Sequence, residues 1–267
     1  MKFVRILQKS PAISLLILLT NCSKVEKAVD TPIREHTISA LLWQQNSAEY
    51  KALCYQSFNI ARRNLESIQS SEGKPYAIIT DIDETVLDNS PYNAMQVEKD
   101  KDYEKRDWIE WGKLEKAKAL PGAVAFFNFA DSIGVEVFYI SNRYDLQLPE
   151  TIENLKALNL PNADVNHVFL KTDSSDKQER RDEVLEEHEV LLYMGDNLSD
   201  FSALFDNQNS ENRNNAASEL RNDFGSKYII FPNPMYGDWE TKGIYERKND
   251  WTNSEKDSIR ASKIYSY

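Results

Sequence analysis

Cysteine and histidine are scarce in this sequence, and their scarcity excludes several kinds of site. The 267 residues include two cysteines, Cys22 and Cys54, and three histidines. Two cysteines cannot make the framework of a disulfide-stabilised domain, and neither has the CxxC or CxxH spacing of a metal site. The histidines, His36, His167 and His188, lie away from the acidic motifs of the chain, so we expect no zinc or haem site built on them.

Positive charge and long hydrophobic runs are also lacking. The 32 lysines and arginines are outnumbered by 43 aspartates and glutamates, which gives a net charge of −11. A protein that coats a nucleic-acid polymer needs dense Lys and Arg, so this class is excluded, whereas a small phosphorylated substrate held by a metal ion is not. With 41% hydrophobic residues the chain has enough apolar side chains for a core. A single short apolar stretch excludes a multi-span membrane protein.

The amino terminus has the pattern of an export signal. Residues 1–21 contain three basic residues and then a short apolar run over 13–19, which predicts a signal peptide. The run leads to Cys22 in a context that resembles the lipobox of bacterial lipoproteins, which implies lipidation of this cysteine and anchoring in the cell envelope. The alternative is a plain signal peptide, or an uncleaved anchor, with an incidental cysteine. Residues 22–36 are polar and are predicted to be a tether.

Strand-like and helix-like patterns alternate through the rest of the chain. Apolar residues recur at helical spacing over 37–69 and predict one long helix or two shorter ones. Five short β-rich runs follow, at 76–80, 135–140, 167–170, 190–194 and 228–231. Helical patterns lie between them, at 122–132, 149–158, 177–187 and 199–206 with a polar continuation to 224. This alternation predicts a parallel sheet with helices on both faces.

Two segments depart from the alternation. Residues 89–120 form a long insertion directly after the first strand, where a lid or cap would sit, so we predict one α/β domain over 37–267 with a cap at about 89–120. The Asn-rich stretch 206–215 is predicted to be a solvated loop.

Polar groups follow four of the predicted strands, where open parallel sheets bind their ligands. Asp81 and Asp83 alternate along an extended chain and so share a face. One carboxylate can attack phosphorus, and the other can protonate the leaving oxygen. Mg²⁺ would relieve the repulsion between carboxylates and phosphate, with Asp196 completing the ligand set and Asp200 behind it. Three further groups can hold the phosphoryl oxygens, namely Ser141, Asn142 and Lys177.

These residues also resemble the four motifs of the haloacid dehalogenase (HAD) superfamily, and more closely the bacterial class C acid phosphatases, the lipoprotein e 5′-nucleotidase family. The segments that carry the resemblance are 81–90, 141–143, Lys177, 195–201 and 232–237, together with Trp108, Pro121-Gly122 and the lipoprotein-like start. The resemblance implies a HAD-like Rossmannoid parallel sheet flanked by helices, with a small, mainly helical cap and N-terminal helices. It also suggests a homodimer.

The same resemblance implies a role for each site residue. Asp81 is expected to be the nucleophile and Asp83 the general acid and base. Asp81, Asp196 and the main-chain carbonyl of Asp83 are expected to bind Mg²⁺, with Asp200 supporting the metal site. The expected phosphate ligands are Ser141, Asn142 and Lys177.

The resemblance further implies a Mg²⁺-dependent acid phosphatase acting on phosphomonoesters, with nucleoside 5′-monophosphates among its substrates. Trp108 and Tyr236 are the candidates for stacking on the base, although each could equally serve core or cap packing. One alternative is a phosphatase or phosphotransferase for other small phosphates. Another is a non-catalytic surface binding lipoprotein, which predicts the loss of at least one catalytic group, whereas all are present.

Overall fold

The computed structural model describes residues 32–68, 73–248 and 250–267. The predicted signal peptide, the lipidation site Cys22 and the first part of the predicted tether lie outside the described residues. Within those three ranges, no helix combines the length and the apolar character needed to cross a membrane.

A five-stranded parallel sheet forms the centre of the fold, which confirms the predicted α/β class. The described residues form seven strands: β1 (Tyr76–Thr80), β2 (Leu87–Asp88), β3 (Lys118–Ala119), β4 (Glu136–Tyr144), β5 (Val168–Lys171), β6 (Glu189–Gly195) and β7 (Tyr228–Ile230). The sheet order is β5-β4-β1-β6-β7, so β1 lies in the middle between β4 and β6. The acidic residues that follow β1 therefore lie at the centre of the sheet edge.

Helices cover both faces of this sheet. Over the same described ranges they are α1 (Ile38–Asn46), α2 (Ala48–Glu66), α3 (Ser90–Glu98), α4 (Lys105–Gly112), α5 (Ala123–Ser132), α6 (Leu148–Ala157), α7 (Gln178–Glu187), α8 (Ser210–Glu219) and α9 (Asn253–Lys263). Neighbouring strand residues point to opposite faces. Ile78 accordingly packs in the core that contains Phe58 of α2 and Phe127 of α5. Ile79 packs in a second core with Phe201 on the other face. Burial on both faces explains why the strands are apolar runs without alternation.

The inserted segment after β1 folds as two helices above a short antiparallel pair. Strands β2 and β3 pair through Leu87 and Ala119 and bring the two ends of the segment together. Between them lie α3 and α4, which carry most of the aromatic residues of the insertion. The segment is thereby held at the same sheet edge as the acidic motifs.

Three sequence-based expectations about local structure are wrong. Strand β4 continues to Tyr144, because its pairing with β5 extends to Lys171, so residues 141–143 lie inside the strand and do not follow it. The expected helix 199–206 is two short 3-10 turns, Leu198–Asp200 and Ala203–Phe205. The expected loop over 206–215 contains the start of α8, because the Asn209 side chain caps the helix at the backbone N–H of Asn212 (2.9 Å).

Candidate active site

The sheet order brings the predicted site residues to one place. Asp81 directly follows β1, and its backbone N–H donates to the carbonyl of Met194 in β6 (2.8 Å). Asp196 directly follows β6, so the two carboxylates leave adjacent strands at the same edge. Lys177 is the residue before α7 and reaches the same edge from the side. The carboxyl ends of the adjacent strands β1 and β6, together with the segment that follows β5, thus supply one site at this edge of the parallel sheet.

Three carboxylates and one ammonium group form the centre of the site. Asp81, Asp196 and Asp200 each offer an oxygen, and these oxygens lie within 4.8 Å of one another. The Lys177 Nζ bonds the Asp81 carboxylate and lies 2.7 Å from Oδ1 of Asp200. Lys177 is only 5% exposed, so both ion pairs are screened from solvent. One positive charge therefore faces three buried or half-buried negative charges.

This imbalance perturbs the ionisation of the cluster. Burial raises the pKa of Asp81 to about 7, with Lys177 opposing the rise and Asp200 adding to it. Burial, and then repulsion from Asp200 and Asp81, also raises the pKa of Asp196 well above its usual value. Burial by itself would lower the pKa of Lys177, but Asp200 and Asp81 raise it, so the ammonium form is favoured. The excess negative charge and the oxygen-only ligands fit a hard divalent cation.

Asp83 lies in the same cavity and is held by a buried arginine. Arg143 donates from Nε to Oδ1 of Asp83 (3.0 Å) and from a terminal nitrogen to the same oxygen (2.8 Å). Asn89 also donates its side-chain amide to Asp83 (2.8 Å). Arg143 is 2% exposed, so solvent has little access to the ion pair. The sequence did not predict a role for Arg143 or Asn89, although both lie in segments that carry the family resemblance.

Ser141 and Asn142 line the cavity beside Asp83. The Ser141 hydroxyl donates to Asp83 (3.3 Å) and accepts from the backbone N–H of Arg143 (3.1 Å). The Asn142 amide donates to the carbonyl of Ser175 (2.9 Å). Arg180 donates to the side-chain oxygen of Asn142 (2.8 Å), which places a second cation at this side of the cavity that the sequence did not suggest.

Backbone and amide contacts fix the other two carboxylates. Asn233 donates its amide to Asp196 (2.8 Å), and the Asn197 backbone N–H donates to Asp200 (3.0 Å). Gly195 makes this arrangement possible, because a β-carbon there would lie 2.6 Å from that of Asp200. The glycine of the Gly195-Asp196 pair is therefore required for a close approach of side chain to backbone, and not for a turn.

The cavity above these groups has a volume of about 380 Å³ and is walled by the cap and the C-terminal segment. Trp108 and Tyr236 both line it. Trp108 is 9% exposed and packs edge-to-face on Tyr92, with ring centroids 5.0 Å apart. Its ring also lies 5.7 Å from the guanidinium carbon of Arg143. Trp108 thus contributes to cap packing as well as to the cavity wall.

A buried glutamate connects the segment after β1 to the opposite wall of the cavity. Glu84 is fully buried in a left-handed backbone conformation, with φ of 59°. Its carboxylate accepts from the backbone N–H of Asn89 (2.9 Å) and from the hydroxyl of Tyr236. Burial, followed by repulsion from Asp83 and Asp196, raises the pKa of Glu84 well above its usual value. The sequence contained no sign that Glu84 would bind Tyr236, because the two residues are 152 positions apart.

Comparisons with known proteins identify the family and the fold of this chain. A sequence profile of the HAD superfamily, subfamily IIIB (acid phosphatase), matches residues 18–239. The class C acid phosphatase from Bacillus anthracis is 41% identical, with a TM-score of 0.84 over 88% of this chain and 99% of that one. The structure of the same B. anthracis enzyme with tungstate bound is 40% identical, with a TM-score of 0.83 over 87% of this chain and 98% of that one.

Proposed function

The chain belongs to the acid phosphatases of HAD subfamily IIIB and is a phosphomonoester hydrolase, and from this premise we propose that it is a Mg²⁺-dependent phosphatase of nucleoside 5′-monophosphates. The observation that carries the proposal is the buried group of Asp81, Asp196, Asp200 and Lys177 at the base of a cavity with aromatic walls. Tungstate, which is bound in the B. anthracis relative, is an oxyanion with the shape of phosphate.

The residues of the cluster fit a resident divalent cation. Asp81, Asp196 and the main-chain carbonyl of Asp83 would hold it, with Asp200 oriented behind them. When bound, Mg²⁺ would offset the charge of the carboxylates and polarise the phosphoryl group. The raised pKa values of Asp81 and Asp196 support this assignment, because burial and repulsion among the carboxylates together outweigh the opposing effect of Lys177.

The chain's own residues perform the two chemical steps in this proposal. Asp81 Oδ attacks phosphorus and forms an aspartyl-phosphate, while the bond from phosphorus to the leaving oxygen breaks. Asp83, in its protonated form, gives its proton to that oxygen. Asp83 then takes a proton from water, which attacks the aspartyl-phosphate and releases phosphate and free Asp81. Lys177 pairs with the phosphoryl oxygens alongside Ser141 and Asn142.

Arg143 acts as a positioning residue in this scheme. Its Nε and one terminal nitrogen donate hydrogen bonds to Asp83 and hold the carboxylate in one orientation. Asn89 and Ser141 donate to the same carboxylate. A general acid must lie within hydrogen-bond reach of the leaving oxygen, so a fixed carboxylate favours proton transfer.

The aromatic walls support a nucleoside as the leaving group. Trp108 and Tyr236 line the cavity that Asp81 and Asp83 also line. Nucleobases stack on aromatic side chains without strict preference for one base. We assign the base to these two rings, with Tyr236 held in place by Glu84.

Export and lipid anchoring through Cys22 belong to the same proposal, because nucleotides carry charges that keep them outside the cell until the phosphate is removed. A homodimer is proposed on the family resemblance. Lipid labelling of wild type and Cys22→Ser, and light scattering of the purified protein, test these two points.

A hydrolysis panel tests the proposed function. It compares nucleoside 5′-monophosphates, sugar phosphates and phenyl phosphate, each with Mg²⁺ and with EDTA. We expect the highest kcat/KM for nucleotides, loss of turnover in EDTA, and recovery with Mg²⁺. Asp81→Asn should abolish turnover, whereas Asp131→Asn, an exposed residue of α5, is the matched control. Equal kcat/KM for nucleotides and phenyl phosphate would contradict the substrate assignment, and turnover by Asp81→Asn would contradict the nucleophile.

A further inference from the structure

A second cavity adjoins the substrate cavity on the side away from the carboxylate cluster. Its volume is about 210 Å³, and none of the three clustered aspartates lines it. Four residues line both cavities, so the two spaces share a wall and lie side by side: Arg34, Tyr103, Tyr236 and Thr241. A nucleotide seated against this shared wall, with its base near Tyr236, would have the 2′ and 3′ positions of its ribose within reach of the second cavity.

The walls of the second cavity are cationic. Four lysine and arginine side chains line it, from the start of the described chain and from its C-terminal segment: Arg34, Lys248, Lys256 and Arg260. Two carboxylates, Asp102 and Glu240, also line it. Because the chain as a whole carries a net charge of −11, this local excess of positive charge opposes the overall balance.

The carboxylates leave the cations incompletely matched. Arg34 and Lys256 both form ion pairs with the same carboxylate, Asp102, each at 3.2 Å. The Nε of Arg34 is buried and has no hydrogen-bond partner. Arg260 pairs with the Tyr245 hydroxyl and with Asp257, which is 58% exposed. Lys248 pairs only loosely, at 3.9 Å, with Asp250, which is 78% exposed. The terminal nitrogens of Arg34 contact Asp102 and Gln96, and its side chain is 12% exposed. A half-buried guanidinium with an unused donor is the kind of group that binds an anion.

The cations also act on a neighbouring histidine. Burial first, and then repulsion from Arg260 and Arg34, lowers the pKa of His36 to about 4. Its Nε2 lies 3.8 Å from Glu240, yet this carboxylate does not restore the charged form. The imidazole is therefore neutral at neutral pH and adds a hydrogen-bonding group to the wall without adding charge.

The cationic residues lie mostly outside the part of the chain that defines the family. The subfamily profile ends at residue 239. Lys248, Lys256 and Arg260 all follow that point, and the last two belong to α9. The phosphatase chemistry needs none of them, because Asp81, Asp83, Asp196 and Lys177 lie in the other cavity.

We propose that the second cavity binds a second phosphate group carried by the leaving group of the substrate, so that the enzyme favours nucleoside bisphosphates over nucleoside monophosphates. The proposal rests on the proposed function, because it takes the nucleoside to lie between the two cavities. Arg34, Lys256 and Arg260 would supply the charge-assisted hydrogen bonds, and arginine forks match phosphate oxygens in pairs. The phosphate removed is still the one seated at Asp81.

The test measures a ratio of specificities. For each protein, kcat/KM for release of the 5′-phosphate is measured with adenosine 5′-monophosphate and with adenosine 3′,5′- and 2′,5′-bisphosphate, and the products are separated by chromatography. Wild type should favour at least one bisphosphate over the monophosphate. The double variant Lys256→Gln/Arg260→Gln should lower that ratio about tenfold, the effect of roughly one charge-assisted hydrogen bond. Lys263→Gln removes a charge from the same helix but lines neither cavity, and should leave the ratio unchanged.

The ratio remains informative if a variant folds poorly, because a smaller folded fraction lowers both rates equally. Lys248→Gln, at a half-exposed side chain, provides a second and milder variant, with an expected fall of about threefold. Wild type without preference for either bisphosphate, or a double variant with an unchanged ratio, would overturn the proposal. A preference for phenyl phosphate over adenosine monophosphate would instead count against the proposed nucleotide function, and the bisphosphate ratio would still be measurable.

Discussion

The carboxylate cluster predicts that the metal-free enzyme loses stability as the pH rises towards neutrality. Burial raises the pKa of Asp81 from 3.8 to about 7. In the unfolded chain Asp81 gives up its proton near pH 3.8, whereas in the folded metal-free protein it keeps the proton to about pH 7. The folded state therefore binds more protons across this window, and its stability is full below pH 3.8 and falls as the pH rises to about 7. The difference corresponds to about 4 kcal/mol, as an upper figure.

A divalent cation should reverse this trend, because it binds the ionised form of Asp81. We expect Mg²⁺ to add little to the free energy of unfolding at pH 4, where protons compete with it, and most at pH 7. The same ion would then be required both for activity and for stability at neutral pH.

Urea unfolding at a series of pH values, in EDTA and in excess Mg²⁺, measures the effect. Asp81→Asn is the control, because asparagine cannot ionise while the other acidic residues still titrate. In EDTA, wild type should lose up to about 4 kcal/mol relative to Asp81→Asn between pH 4 and pH 7. A constant difference between the two proteins over this range, or a wild type that gains relative stability as the pH rises, would refute the reasoning.

Three further substitutions test the architecture of the site. Gly195→Ala should reduce kcat at least tenfold, because the new methyl group displaces Asp200; a normal kcat would show that Asp200 can move freely. Arg143→Lys should lower kcat more than it raises KM, because the charge remains but the double hydrogen bond to Asp83 is lost; the reverse pattern would assign Arg143 to substrate binding instead. Trp108→Ala should lower the free energy of unfolding by about 3 kcal/mol in urea titrations and also raise KM for nucleotides more than for phenyl phosphate; unchanged stability would contradict its packing role.

The proximity of the candidate catalytic residues could be predicted from the sequence, because acidic and basic side chains follow its apolar runs directly or after a short segment. Asp81 and Asp196 each follow an apolar run directly, and parallel strands place such positions at one edge. Lys177 follows its strand with only a short delay. The structure brings these three residues together, and Asp200 with them. These residues meet only if β1 and β6 are neighbours, so the order of the strands matters as well as their existence. The alternation of strands and helices strongly restricts the possible orders.

The residues that orient the candidate catalytic groups were harder to predict from the sequence. Arg143 sits in a motif whose neighbours suggested phosphate binding, yet the continued strand turns it onto Asp83. Asn233 and Glu84 act through partners that are distant in the sequence. Hydrogen bonds of this kind depend on side-chain directions, which local periodicity does not encode. The helix start at Asn209 was missed for a related reason, because the Asn-rich composition is equally typical of loops and of helix caps.

The sequence by itself determined three features: the parallel sheet, the insertion after the first strand, and the position of acidic groups at the strand ends. Each of them depends on local pattern and on the rules of strand connection. Only the tertiary structure decided how the two ends of the described chain meet. Arg34 and Arg260 line one cavity although more than 200 residues separate them in the sequence. Their meeting depends on the packing of α9 against the rest of the domain, and a weakly apolar helix carries no pattern that specifies its partner.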